Sequence, residues 1–142
     1  MTTQEFTQAT VRSSSQASRG GLLRSALRGD AIFSEVSGLV FLLFAGRLST
    51  LTGIQPPLIT VMGAVALVYG ALLWLGTRQP GVSRTLAIFA IVGNVLWVAD
   101  SALVLLTGWL PLTTTGMWIV AIIADIVLVF AILQFVGLRR AS

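Results

Sequence analysis

Four charged residues interrupt the long apolar runs of this 142-residue chain: Glu35, Arg47, Asp100 and Asp125. One cation among three carboxylates could do two kinds of chemistry. An Arg beside an Asp can form a structural ion pair that fixes the register of two helices. The same pair can exchange one partner for a proton or a charged ligand, because one Arg facing two carboxylates leaves one of them free to titrate. Contact with another subunit is a third use. A charge at the centre of a bilayer costs on the order of 2.5–3.5 kcal/mol on insertion scales, so such residues turn toward protein or water and find partners.

The residues that are missing narrow the chemistry further. The chain has no Cys and no His. Disulfides, thiolate and imidazole metal sites, and the usual haem ligands are therefore excluded, and no cofactor is expected. Ser-His and Cys-His nucleophile pairs are excluded as well. A membrane enzyme would have only Asp, Glu, Arg and the single Tyr69 to work with, and no constellation of these stands out, so a non-enzymatic role is expected.

The elements that position these charges follow from composition. The chain is 56% hydrophobic and 10% charged, with a mean hydropathy of +0.93. A soluble domain carries about 25% charged residues, so this chain cannot cover itself in water. Four apolar segments of spanning length run from about 31 to 52, 57 to 76, 84 to 107 and 115 to 137. Each matches a tilted helix crossing a hydrocarbon core of roughly 30 Å. Short connections make consecutive helices antiparallel neighbours, which predicts an all-α polytopic membrane four-helix bundle over residues 30–138. Residues 1–29, rich in Ser, Thr and Gln, are expected to form a largely irregular cytoplasmic tail. Within that tail, Leu22, Leu23, Ala26 and Leu27 could form a short interfacial helix. Residues 139–142 form a second cytoplasmic tail.

All nine basic residues are Arg, and eight lie on one side of the four segments: Arg12, Arg19, Arg24, Arg28, Arg78, Arg84, Arg139 and Arg140. Only Arg47 lies toward the other. This bias places both termini in the cytoplasm and the protein in the inner membrane. The net charge of +4 is accounted for by topology, and no nucleic-acid partner is expected.

At 1.5 Å per residue from the cytoplasmic ends, Glu35 comes out roughly 6 Å deep, Arg47 and Asp100 roughly 24 Å, and Asp125 roughly 18 Å. Arg47 and Asp100 are thus expected to pair, with Asp125 nearby. Asn94, Trp97 and Ser101 share one helix face, with Asp100 at its edge. Arg47, Asp100, Asp125 and Asn94 are therefore the candidate binding cluster. Gly63, Ala66 and Gly70 form a small-residue stripe, as do Gly38, Ala45 and Gly46, and such stripes suit close helix packing. Trp109 and Trp118 are placed as interfacial anchors.

The stretch LTGIQPPLITVM at 51–62 aligns with LTGWLPLTTTGM at 106–117 at an offset of 55, which raises the possibility of a duplicated helical hairpin. AIFSEVSG at 31–38 resembles the start of small multidrug resistance transporters. That resemblance implies a first-helix Glu, here Glu35, that binds protons or cations. The rest of the chain departs from that family, and the residue-level reading makes Glu35 a shallow carboxylate paired with Arg28 or Arg84. GWLPLTTTGMWIVAIIADIVLVFAILQFVGLRR at 108–140 resembles a broad set of small, uncharacterised four-span bacterial membrane proteins, and this implies fold and location but no activity. The leading functional expectation is a structural or accessory membrane component, embedded in the bilayer as a homo-oligomer or part of a larger membrane complex. The alternative is a small proton-coupled transporter or ligand-binding protein built on the Arg/Asp cluster.

Overall fold

The computed structural model describes residues 2–141, with the side chains of residues 10–19 left aside. Its described residues form helices and connecting turns, without strands. The helix α1 spans Thr3–Leu43, α2 Ala45–Thr52, α3 Pro56–Thr77, α4 Arg84–Thr107 and α5 Thr114–Ala141. Three of them, α3, α4 and α5, are long and apolar enough to cross a membrane. A fourth crossing is added if Gly20–Leu43 and α2 form one bent span.

The beginning of α1 departs from the sequence expectation. The segment read as an irregular tail is helical from Thr3, where Thr2 and Glu5 close a reciprocal capping box. The segment read as an interfacial helix is part of the core. Leu23, Ala26, Leu27, Asp30, Ala31 and Ser34 are all buried, and their spacing places them on one helical stripe. Arg24 and Arg28, which made this stretch look like a membrane border, bind the end of α3. Arg24 donates to the carbonyls of Thr77 at 2.6 Å and Pro80 at 3.1 Å. Arg28 donates to the Thr77 hydroxyl and carbonyl at 3.4 and 3.3 Å and lies over the Trp74 ring. Helix C-terminal carbonyls have no intrahelical donors, and guanidinium groups supply them.

The first apolar segment is also not one straight span. The chain turns by 91° between Leu43 and Ala45, at Phe44 with φ −122° and ψ 26°. The short α2 then ends at Gly53, whose φ of 84° is left-handed. Gly108 ends α4 in the same way at φ 66°. The two stretches aligned in the sequence build matching caps. Thr52 and Thr107 each donate back to a carbonyl four residues earlier, at 2.6 Å in both cases. Each hydroxyl then accepts from the backbone N–H two residues on, in Ile54 and Trp109.

Packing does not follow chain order throughout. α1 lies along both α3 and α5, and α4 lies along α5, whereas α3 and α4 touch at few points. Small residues allow the close approaches. A Cβ on Gly38 would lie 2.8 Å from the Gly63 carbonyl oxygen, and one on Gly63 would lie 2.9 Å from that of Gly38. Gly70 meets Ala31 and Glu35, and Gly137 meets Leu23. The core of Leu23, Leu27, Ala31, Leu73, Ala87 and Ala90 closes the Arg-rich end of the helices. At the opposite end Thr113 bonds the carbonyls of Leu51 and Thr52, tying the α4–α5 connection to α2.

Candidate functional site

The polar centre of the molecule is Asp30, 1% exposed. Its Oδ2 accepts from three other helices: Tyr69 Oη of α3 at 2.8 Å, Asn94 Nδ2 of α4 at 2.8 Å and Gln134 Nε2 of α5 at 2.7 Å. Asn94 Nδ2 also donates to Gln134 Oε1 at 2.9 Å. The Tyr69 hydroxyl has one proton, and Asp30 is its nearest acceptor. Ala90 O and Asn94 Oδ1 lie further off, at 3.2 Å each. The other oxygen, Oδ1, receives only a 3.4 Å bond from Ser34, at the long limit for a hydroxyl donor. One half of the carboxylate is thus saturated and the other nearly unused.

Asp30 borders a cavity of about 160 Å3. Its walls are apolar and aromatic, including Phe33, Phe41, Tyr69 and Trp97. A second cavity of about 320 Å3 continues toward the opposite end of the helices, past Asp100 and Ser101. Phe41, Trp97 and Ile123 line both cavities, so these three separate them. The Trp97 Nε1 atom is buried without a hydrogen-bond partner. An orphaned buried donor costs about 1–3 kcal/mol.

The residues singled out from sequence are not gathered in one place. Asn94 lies in the Asp30 network, and Ser101 on the same face is buried. The expected pairing of Arg47 with Asp100 is not formed. The bend after Leu43 carries Arg47 onto α2, which packs on α1, α3 and α5 and not on α4. Arg47, Asp100 and Asp125 are all exposed, and among the described residues no ion pair joins them. Asp100 borders the second cavity. Glu35 is half-buried against Gly70 of α3, and its Oε1 has no hydrogen-bond partner. It is therefore not paired with Arg28, which is engaged at Thr77, nor with Arg84. Its depth also changes, because Gly70 lies seven residues before the end of α3, about 10 Å along the helix.

Asp30, Tyr69 and Gln134 were missed. Counting the first span from residue 31 excluded Asp30 by one position. The signal was present in the spacing of Leu23, Leu27, Asp30 and Ser34, which continues one helical face across the apparent border. Among the described residues, no group of three or more His, Cys, Asp or Glu side chains could hold a metal ion. No protein-family model, curated protein or solved structure matches the chain.

Proposed function

We propose that the chain is a four-span inner-membrane bundle, with both termini in the cytoplasm, that binds a small organic cation with an apolar body at Asp30. The single observation behind this reading is the half-used carboxylate. Asp30 borders an apolar cavity, its Oδ1 has only the long bond from Ser34, and among the described residues no Arg contacts it, because Arg24 and Arg28 on the same helix are committed to the end of α3. An intramembrane carboxylate without a fixed counter-ion favours a cationic occupant or a proton. Aromatic walls add cation–π attraction for an ammonium. The cavity matches the roughly 150 Å3 that holds a benzene-sized ligand.

A second reading has its own support. The saturated Oδ2 joins α1 to α3, α4 and α5, which suits a purely structural, accessory membrane protein. One experiment separates the two. Purified protein in nanodiscs is titrated with benzylammonium and with its neutral isostere ethylbenzene, and the Asp30→Asn variant is titrated alongside. The binding reading expects the cation to be preferred and the preference to fall roughly 10- to 100-fold in Asp30→Asn, the equivalent of one charge-assisted hydrogen bond. Equal binding of both probes, or loss of folded Asp30→Asn together with loss of binding, favours the structural role.

A further inference from the structure

We infer that the cation reaches Asp30 sideways from the lipid phase, through the seam between α3 and α4, and that Asp100 is the first acidic group it meets. This rests on the cation-binding reading of Asp30. The other routes are closed by packing. The Arg-rich end is sealed by Leu23, Leu27, Leu73, Ala87 and Ala90, each no more than 2% exposed. At the opposite end, Thr113 bonds Leu51 and Thr52, Gly53 abuts Pro111, and Ile54 is buried. α1 packs extensively along α3 and α5, and α4 along α5.

The α3–α4 seam is different. The two helices meet near the Arg-rich end, where Tyr69 stacks on Phe89 with ring centroids 5.8 Å apart and Leu86 abuts Gly76. Beyond Tyr69 they are separated by the two cavities. Val65, Ala66 and Tyr69 of α3 face Gly93, Asn94 and Trp97 of α4 across the first. Leu58, Ile59 and Met62 face Asp100, Ser101 and Val104 across the second. The acidic residues bordering this groove are Asp100 and Asp30, and among the described residues no Arg lies on either wall. An amine with an apolar body concentrates in the bilayer, and this groove offers it a carboxylate at the threshold and another at the end. Trp97 stands between them with an unused N–H.

The test uses a variant in which Trp97 is the only Trp (Trp74→Phe, Trp109→Phe, Trp118→Phe), reconstituted with lipids brominated on their acyl chains. Lateral access expects the bromolipid to quench Trp97 by about half and benzylammonium to relieve that quenching. Asp100→Asn is expected to slow the association of benzylammonium by about tenfold. Because the chain has no Cys, Met62→Cys offers a second measurement. It should react with a lipid-soluble maleimide, resist a membrane-impermeant one, and be protected by benzylammonium. Asp30-dependent binding with an unquenched Trp97, or with Met62→Cys open to the impermeant reagent, overturns the lateral route and leaves the site intact. An unchanged association rate in Asp100→Asn overturns the part given to Asp100. Absence of any benzylammonium binding overturns both the route and the reading beneath it.

Discussion

The bond between Gln134 and Asp30 is a direct measure of whether Asp30 organises the bundle. Both residues are buried, at 0% and 1% exposure, and the 2.7 Å distance is that of a strong, charge-assisted contact. Such bonds contribute about 1.5–3 kcal/mol in soluble proteins, whereas polar contacts between membrane helices average about 0.6 and reach about 1.7 kcal/mol. Full burial places this one toward the upper part of the membrane range. Gln134→Leu keeps the volume but removes the donor to Asp30 and the acceptor for Asn94, so a loss of about 1–3 kcal/mol is expected. The decisive quantity is the coupling in a double-mutant cycle with Asp30→Ala, read by reversible denaturant unfolding in detergent micelles. It should lie near 1–2 kcal/mol, because the two residues touch and share Asn94. A coupling below about 0.3 kcal/mol would refute the account of Asp30 as the hub that joins the helices.

Other perturbations test the packing around this hub. Gly38→Ala should destabilise by about 1–2 kcal/mol, because the 2.8 Å approach to Gly63 forces α1 and α3 apart by more than the methyl gains in helix propensity. Gly20→Ala, with nothing within 4 Å, should be neutral or stabilising by up to about 1 kcal/mol in the same unfolding assay. Leu23→Ala should cost about 2–4 kcal/mol by removing a side chain that is 2% exposed, whereas a solvated tail there would show no change. Arg24→Ala should speed amide hydrogen exchange in residues 78–83, whose anchor is the Arg24 bond to Thr77 and Pro80.

The apolar helices were legible because hydropathy over 20 residues is a sum, insensitive to single positions. The ends of α3 and α4 were legible for a local reason: Pro56 and Pro57 start one helix, and Gly108 in the left-handed region stops the other. The bend at Phe44 had no such marker. Neither Pro nor Gly sits at the turn itself, and the α1–α2 junction is set by what the two helices pack against. The site was half legible. Asn94 was found because a polar side chain inside an apolar run stands out in one dimension. Asp30 was hidden because hydropathy treats Arg24 and Arg28 as solvent-seeking, whereas their partners are carbonyls more than 45 residues away. Pairing Arg47 with Asp100 assumed that equal depth on straight helices means contact, and the 91° turn removes that premise.

The order in which the chain is made gives the Asp30 network a timetable. Asp30 is synthesised first, and its partners Tyr69, Asn94 and Gln134 follow 39, 64 and 104 residues later. At about 5–20 residues per second, the last donor appears about 5–20 s after the carboxylate has left the ribosome. During that interval Asp30 has none, then one, then two of its three inter-helix donors. A polar group without its partners is costly in the bilayer, so the network is complete only when α5 docks. The final helix thereby becomes the assembly checkpoint: a nascent chain truncated before Thr114, which lacks α5 and with it Gln134, should be degraded by quality-control proteases as an intermediate whose central Asp30 is short of a partner.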